Sequence, residues 1–302
     1  MHHAILGPGG VGGLIAAFLA QSGERVTVVI KSDALRQFPQ TLRLESPFGQ
    51  FAVEVERTDT VPPADVLWLA VKATQLERAL MSMRDGNSPA AIVPLLNGID
   101  HVALLRARYG STRVIPATIR VESERIAPGQ IVHRSPFAQL AVSSVGQLLM
   151  EGPLERLQKL GFTCQFIPDE RTLLWSKLVF LAPVALMTTA ANRSTGEIAA
   201  DVKLKRQLEL TVREACAVAR AEGADVDGES VISSIRGLPH TTRSSMQKDV
   251  DRGNVPELDA IAGPILRGAA EHNIEVRSTR ELAALVEQRI GTKQSLLRSG
   301  PS

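Results

Sequence analysis

The sequence predicts a parallel α/β domain followed by an all-α domain. Short β-type runs alternate with helical segments over the first half of the chain, and only helical patterns follow in the second half. Such alternation is typical of βαβ units. A chain of 302 residues has room for two domains of about 150 residues each. We expect them at residues 1–168 and 169–302.

In the first half, the strand predictions depend on runs of β-branched or continuously apolar residues. The run Asp65–Val71 is apolar almost throughout, as in a strand that is buried on both faces. A turn at residues 46–50 predicts a hairpin, and Thr74 followed by Glu77 predicts a capping box. The runs after residue 113 are expected as later strands of the same sheet, some of them antiparallel. In chain order, the expected strands are His2–Leu6, Arg25–Ile30, Leu42–Glu45, Phe51–Glu56, Asp65–Val71, Ala90–Leu96, Val114–Val121, Gln130–His133, Gln139–Val142 and Phe162–Ile167, with helices at Gly12–Ser22 and Gly152–Leu160.

The second half contains helical patterns with no competing period-2 strand. The apolar segments near residues 258–266 and 282–290 are compatible with packing either within the chain or between chains. The sequence is compatible with a homodimer, the commonest arrangement of a soluble oligomer, but does not specify one. The expected helices are Leu173–Thr189, Ala199–Glu222, Gly228–Arg236, Thr241–Asp251, Leu258–Asn273 and Thr279–Ile290.

Charge and composition exclude several classes of function. The 34 basic and 32 acidic residues are interspersed and give a net charge of +2, so the chain has no electrostatic footprint for nucleic acid. Cys164 and Cys216 are far apart, and the six histidines lack metal-binding spacing, so we expect no metal site. No apolar stretch is expected to reach the roughly 18–20 residues that span a membrane. With no targeting segment after Met1, a cytoplasmic protein is expected.

The sharpest local motif is a glycine-rich turn between the first strand and the first helix. It reads Gly7-Pro8-Gly9-Gly10-Val11-Gly12, which is G-x-G-x-x-G in its strand–turn–helix context. In Rossmann-type domains these glycines form a tight turn, let a pyrophosphate approach the backbone and pack the helix on the strand. We therefore predict a Rossmann-type dinucleotide-binding domain.

The end of the second strand indicates which dinucleotide is bound. NAD sites usually place an acidic residue there, whereas this chain has Lys31 and Ser32. A lysine and a hydroxyl suit the 2′-phosphate of NADP, with no carboxylate at these positions to repel it. Asp33, two residues after Lys31, is the argument for NAD. We expect NADP.

Other polar residues follow strands or begin helices. Lys72 and Asn97 follow two expected sheet strands, at the edge where ligands of open α/β sheets bind. Lys177 begins an apolar helical run, where its ammonium either reaches back to water or faces a site. Glu257 follows Pro256 at a helix start, which the helix dipole alone would explain. Ser244 and Ser245 are adjacent in another expected helix.

Taken in order, these residues resemble the ketopantoate reductase family (2-dehydropantoate 2-reductases), within the 6-phosphogluconate-dehydrogenase-like superfamily. The similarity covers essentially the whole chain. It is carried by the glycine turn, Val71-Lys72-Ala73, Asn97-Gly98, Leu174-Trp175-Ser176-Lys177-Leu178, Ser244-Ser245-Met246-Gln247-Lys248-Asp249 and Glu257-Leu258-Asp259-Ala260-Ile261-Ala262-Gly263.

The resemblance implies NADPH-dependent reduction of a 2-oxo acid, ketopantoate, to pantoate. Lys177 looks like the family's catalytic lysine, the proton donor, and Glu257 like the carboxylate that holds the substrate hydroxyl. Ser245 is similar to the serine that contacts the substrate carboxylate. Asn97 and Lys72 look like residues that line the cofactor and substrate cleft. Lys31 falls where the family has a basic residue for the 2′-phosphate.

The chain departs from the family on the helix that carries the lysine. The family commonly has asparagines four and eight residues after the lysine, where this chain has Leu181 and Ala185. Each lost hydrogen bond is worth roughly 1–3 kcal/mol of discrimination. Two alternatives therefore stay open: a reductase of a more apolar 2-oxo acid, and an NADP-binding regulator without catalysis.

Overall fold

The computed structural model describes residues 1–83 and 89–298, and the chain divides into two compact units. The first unit comprises Met1–Leu96 and His101–Leu173, and the second comprises Asn97–Asp100 and the chain from Leu174 onward. The predicted boundary at residue 168 thus lies five residues before the observed one, which falls inside a helix. The expected order of an α/β part and a helical part is confirmed.

The first unit is built around a parallel sheet of five strands. Their order is β5-β2-β1-β6-β7, and every neighbouring pair is parallel. All four residues of β6 are buried, as the apolar run predicts for a central strand. The strands are β1 (His2–Leu6), β2 (Arg25–Val29), β5 (Glu56–Thr58), β6 (Val66–Leu69) and β7 (Ala91–Pro94).

Two smaller sheets complete the β structure of this unit. One has the order β4-β3-β10-β9 and contains the predicted hairpin, and the other has the order β12-β11-β8. Their strands are β3 (Thr41–Ser46), β4 (Gly49–Glu54), β8 (Ala117–Arg120), β9 (Ser123–Ala127), β10 (Gln130–His133), β11 (Gln139–Ser143) and β12 (Thr163–Ile167).

The prediction that the later strands extend the first sheet was wrong. Val114 makes a single parallel bridge to Ile92 of β7. The next amide of β7 in that ladder would be that of Pro94, which has no hydrogen to donate, and the Pro116 carbonyl accepts from the Ser143 amide instead. Beyond Pro116, β8 pairs antiparallel with β11.

Helices cover the strands of the first unit. They are α1 (Gly10–Gln21), α2 (Leu76–Leu80), α3 (His101–Tyr109) and α4 (Gln147–Lys159). The predicted capping box at Thr74 is absent, because the chain enters α2 through a 3-10 turn at Ala73–Gln75 and no side chain caps either segment. The carboxylate of Glu77 lies 3.6 Å from the guanidinium of Arg108 instead of turning back on the helix start.

The second unit is helical. Asp201 divides the predicted helix Ala199–Glu222, because its backbone is extended and its carboxylate accepts the amides of Lys203 and Leu204. The predicted helix Thr241–Asp251 begins only after Ser244, which is its N-cap. The helices are α5 (Glu170–Ala191), which starts in the first unit, then α6 (Thr195–Ala200), α7 (Val202–Ala221), α8 (Gly228–Arg236), α9 (Ser245–Asp251), α10 (Leu258–Glu271) and α11 (Arg277–Arg298).

The sequence left open whether α10 and α11 pack within the chain or between chains, and the burial of their apolar residues decides this. Ile261 and Ile265 of α10 and Leu282 and Val286 of α11 are at most 1 % exposed and join one core within the second unit. These side chains therefore pack within the chain.

Helix α5 corrects one expectation from the sequence. It is a 22-residue helix that contains an 18-residue window with a mean hydropathy of 1.6, so it is long and apolar enough to cross a membrane by length and composition. However, 67 % of its apolar window is buried inside the protein. A buried core helix has the same composition as a spanning one, and this burial accounts for the apolar character of α5.

Candidate active site

The glycine turn joins β1 to α1, as predicted. Gly7 has a φ of +92°, and a Cβ there would lie 2.6 Å from Cγ1 of Val71, so both backbone conformation and space require glycine. The Gly9 amide donates to the Gly7 carbonyl at 2.7 Å and tightens the turn. Val71 contacts Gly7 of this turn. Lys72 is the next residue in the chain after Val71. Lys72 has an extended backbone and precedes the 3-10 turn.

Packing within the protein requires glycine at position 10 but not at position 9. At Gly10, a Cβ would lie 2.2 Å from the carbonyl oxygen of Ser123, whose hydroxyl also donates to the Gly10 carbonyl at 2.9 Å. At Gly9, the nearest atom to a Cβ would be 4.0 Å away, and its φ of −81° suits any residue. No described part of the protein therefore requires glycine at position 9. A pyrophosphate that approaches the backbone would require it.

The N-terminus of α1 has the charge properties of an anion site. Its N-cap is Gly9, no side chain caps its amides, and its first turn contains no acidic residue. Amides at a helix N-terminus favour phosphate. The turn and the 12-residue helix that follows it thus fit the pyrophosphate of a dinucleotide.

The end of β2 contains a carboxylate that the sequence interpretation did not place there. Lys31 is exposed, as a phosphate contact requires. The hydroxyl of Ser32, however, donates to the carboxylate of Asp59 at 2.9 Å. Asp59 follows β5, which pairs with β2, and strand pairing brings together residues 27 positions apart. The sequence interpretation weighed only Asp33 as a nearby carboxylate and did not identify Asp59, which strand pairing brings beside Ser32.

In the second unit, the segment Asn97–Asp100 packs on α10. Gly98 has a φ of +82°, and a Cβ there would lie 2.2 Å from the carbonyl oxygen of Ala260. Asp100 forms an ion pair with Arg267, which also binds Asp259 at 2.8 Å. These carboxylates raise the pKa of Arg267, Asp259 through its hydrogen bond most of all. The close backbone approach explains the glycine at position 98.

Asn97 and Glu257 are in direct contact. The side-chain amide of Asn97 donates to Oε2 of Glu257 at 3.0 Å across 160 positions of sequence. Glu257 is the N-cap of α10 but makes no capping hydrogen bond with its side chain. The residue is nevertheless only 7 % exposed, whereas a charge that merely complements a helix start can stay in water. The structure brings these two predicted site residues together.

Lys177 is buried in the middle of apolar residues on α5. It is 9 % exposed, and its neighbours Leu178 and Val179 are at most 1 % exposed. An ammonium that reached back to water would be far more exposed. The burial of Lys177 therefore favours the alternative, in which its ammonium faces a functional site. Helical geometry places Leu181 and Ala185 on the same side of α5 as Lys177. Neither supplies a hydrogen bond there.

The two adjacent serines have different environments. Ser244 is the N-cap of α9, is 8 % exposed, and its hydroxyl accepts the Gln247 amide at 3.1 Å. It also accepts a hydrogen bond from the hydroxyl of Thr188 at 2.7 Å. Ser245 is exposed. Only Ser245 is therefore available to a ligand.

The two cysteines do not contribute to the chemistry. Burial raises the pKa of the Cys164 thiol to about 12 and that of Cys216 to about 11. A thiol must ionise to act as a nucleophile, so both are inert at neutral pH.

The structure divides the predicted residues between the two units. The glycine turn, Lys31 and Lys72 belong to the first unit, and the other four belong to the second. Sequence reasoning missed Asp59, for which no local signal exists. It also missed Thr188, a buried polar residue on the same side of α5 as Lys177, a pattern that could have indicated it. The four residues in the second unit are Asn97, Lys177, Ser245 and Glu257.

Comparison with known families finds two matching family models. The model of ketopantoate reductase PanE/ApbA matches residues 3–147, and that of the ketopantoate reductase PanE/ApbA C terminal matches residues 169–289. Together they cover most of both units.

Individual relatives match over nearly their whole length. The 2-dehydropantoate 2-reductase of Caulobacter vibrioides is 29 % identical over 296 residues, which are 94 % of this chain and 97 % of the relative. That of Mycobacterium tuberculosis is 29 % identical over 287 residues, 90 % and 92 % of the two chains.

Solved structures with the same fold include two kinds of enzyme. A PanE/ApbA family ketopantoate reductase from Ralstonia eutropha has a TM-score of 0.86 at 26 % identity, covering 97 % of this chain and 100 % of that one. D-mandelate dehydrogenase with NADH and anilino(oxo)acetate also has a TM-score of 0.86, at 19 % identity, covering 97 % and 99 %. The second likeness shows the fold alone.

Proposed function

The chain belongs to the ketopantoate reductase family, and we propose that it reduces ketopantoate to pantoate with NADPH. The family consists of oxidoreductases that use NADPH. The proposal assigns cofactor binding to the first unit and substrate chemistry to the second. A small-molecule substrate follows from the family. A cytoplasmic location, a homodimer and the absence of nucleic-acid and membrane partners stay predictions.

In the first unit, we assign the glycine turn Gly7–Gly12 to the pyrophosphate and Lys31 to the 2′-phosphate. The space at Gly9 and the uncapped helix start support this assignment. Lys72, next to the turn, would contact the same ligand. When bound, NADPH supplies the hydride.

Lys177 is assigned as the proton donor. As a hydride reaches the ketone carbon, the carbonyl π bond breaks and negative charge develops on the oxygen. The Lys177 ammonium stabilises this charge and transfers its proton to the oxygen, which completes the 2-hydroxy acid. The burial of Lys177 strengthens the interaction, because little water screens the charge.

The observation that carries the choice of substrate is the buried carboxylate of Glu257, held by Asn97 at 3.0 Å. A buried carboxylate is costly unless hydrogen bonds compensate it. Ketopantoate has a hydroxyl that can donate to Glu257, and a plain alkyl 2-oxo acid has none. Ser245, exposed beside the buried Ser244, is assigned to the substrate carboxylate.

A second candidate is reduction of a 2-oxo acid with an apolar side chain. Leu181 is partly buried and Ala185 fully buried on the side of α5 that carries Lys177. Apolar residues there favour a substrate that offers no hydrogen bonds to that side of the helix.

A matched pair of substrates separates the two candidates. Trimethylpyruvate is ketopantoate without its hydroxyl oxygen, so it differs only in the group assigned to Glu257. We expect the ketopantoate kcat/KM, measured by NADPH oxidation, to exceed that of trimethylpyruvate by at least about tenfold.

Equal or better use of trimethylpyruvate would instead favour the apolar candidate. In that case Leu181→Asn should shift the preference back toward ketopantoate, whereas Leu181→Met should not. NADPH binding, seen as a change in nicotinamide fluorescence, without turnover of either acid would contradict both candidates and favour a regulator.

A further inference from the structure

A buried hydrogen bond joins the helix of Lys177 to the loop that leads to Ser245. Thr188, on α5, is 0 % exposed, and its Oγ1 lies 2.7 Å from Oγ of Ser244. The same Oγ1 lies 2.8 Å from the Val184 carbonyl oxygen. The two hydroxyls are 56 positions apart in sequence, so this is a tertiary contact rather than a local one.

The contact fixes the start of α9. Ser244 has a φ of −64° and a ψ of 157° and caps the helix by accepting the Gln247 amide. Its hydroxyl is therefore held from two sides, by its own helix and by Thr188. Ser245 is the next residue and the first of α9, so the direction of its side chain follows from the placement of Ser244.

The far end of α9 is tied to α5 by more exposed groups. The Arg289 guanidinium donates to the Asp251 carboxylate at 2.9 Å and to the Thr189 carbonyl at 3.1 Å. Asp251 is 32 % exposed, and exposed ion pairs contribute little to stability. The Thr188–Ser244 bond is thus a buried polar attachment of α9 to α5, and it lies one residue from Ser245.

We propose that Thr188 is a positioning residue, which holds Ser244 against α5 so that Ser245 presents its hydroxyl to the substrate carboxylate. Lys177 lies eleven residues earlier on α5, on nearly the same side of the helix. One helix thus carries the proton donor and orients the carboxylate contact. This role rests on the proposed function, because it requires Ser245 to bind the carboxylate.

The chain offers a matched control at the next position. Thr189 is also 0 % exposed, but among residues 1–83 and 89–298 its hydroxyl has no hydrogen-bond partner. Thr188→Val and Thr189→Val are therefore the same isosteric change at two fully buried sites of one helix. Only the first removes a hydrogen bond.

The test is steady-state kinetics of ketopantoate reduction by the full chain. We expect Thr188→Val to raise the ketopantoate KM about fivefold, as loss of about one hydrogen bond implies. The kcat and the NADPH KM should stay within about twofold of the wild-type values. Thr188→Ser restores the hydroxyl and should restore the KM, and Thr189→Val should match the wild type.

Ser244→Gly is a second route to the same result, should Thr188→Val not fold. Glycine is a tolerated N-cap, so this variant removes the partner of Thr188 at small cost to α9. It should raise the ketopantoate KM as Thr188→Val does, and the double variant should be no worse than either one.

Three results would overturn the role: an unchanged KM in Thr188→Val and Ser244→Gly, an equal rise in Thr189→Val, or no rescue by Thr188→Ser. Each requires a wild-type enzyme that reduces ketopantoate. A wild-type protein that binds NADPH and reduces neither ketopantoate nor trimethylpyruvate would contradict the proposed function, and this role with it.

Discussion

Lys177 and Glu257 place ionisable groups in the protein interior, where burying an apolar side chain would cost less free energy. They are 9 % and 7 % exposed, and lysine and glutamate are seldom buried to this extent. Part of the cost is offset at Glu257 by the Asn97 amide. Residues whose burial opposes stability are expected at functional sites, which supports their assignment to the substrate.

Substitution of Asp59 alone tests the preference for NADPH over NADH. Its carboxylate holds Ser32 beside Lys31, so it would repel a 2′-phosphate that Lys31 attracts. We expect Asp59→Asn, which keeps an acceptor for Ser32, to tighten NADPH binding about fivefold with little change for NADH. Titration of nicotinamide fluorescence with both cofactors measures this.

Asp33→Asn is the matched control, because it removes a nearby exposed carboxylate for which the structure gives no bond to Ser32. It should have a smaller effect. An equal change of NADPH and NADH affinity in Asp59→Asn would show that Asp59 does not act on the 2′-phosphate.

The site residues that could be predicted from the sequence are those marked by a pattern in the neighbouring residues. The glycine turn is contiguous, and Lys177 stands out because it interrupts an apolar helix. Asp59 and Ser32, by contrast, meet only because β5 pairs with β2. The Thr188–Ser244 bond likewise depends on packing between helices.

Among the elements, β1 and β6 share a buried polar contact. The indole nitrogen of Trp68 donates to Nδ1 of His3 at 3.1 Å, and both residues are 0 % exposed. Burial lowers the pKa of His3 to about 4, although the nearby Glu24 carboxylate opposes the shift. The folded protein thus binds fewer protons than the unfolded chain between pH 6.5 and about 4.

This shift predicts acid destabilisation with a known sign. Because the folded pKa is depressed, the stabilising effect is complete above pH 6.5 and is lost as pH falls toward 4. We expect the free energy of unfolding to fall between pH 7 and pH 5 by about 2 kcal/mol more in the wild type than in His3→Gln. Glutamine keeps an acceptor for Trp68 and does not titrate.

Urea unfolding followed by tryptophan fluorescence at the two pH values gives the difference. Acidic groups common to both proteins cancel in the comparison. Parallel pH dependence in the wild type and His3→Gln would contradict a buried neutral His3.

Some element boundaries depend on local caps that the sequence interpretation did not use. Asp201 divides α6 from α7 by accepting two amides within three residues of itself, a signal that could have been used. The division into three sheets was not predictable in this way. It depends on which distant strands pair, such as β8 with β11, and a run of β-branched residues does not specify its partner.

For the whole molecule, the alternation of strands and helices was enough to predict the order of the two parts. The place of Asn97–Asp100 was not predictable from it. These residues lie between elements of the first unit but pack on α10, since Gly98 permits a close backbone approach. Sequence position alone would assign Asn97 to the wrong unit.

In the proposed reaction, the helical unit supplies the proton for an NADPH-dependent reduction. The most direct measurement is the rate of pantoate formation from ketopantoate and NADPH by the wild type and by Lys177→Ala, with NADPH affinity measured on both. We expect turnover by the wild type, a kcat lower by about 100- to 10,000-fold in the variant, and equal NADPH affinity. Equal rates in the two proteins, or no pantoate from a wild type that binds NADPH, would contradict this proposal.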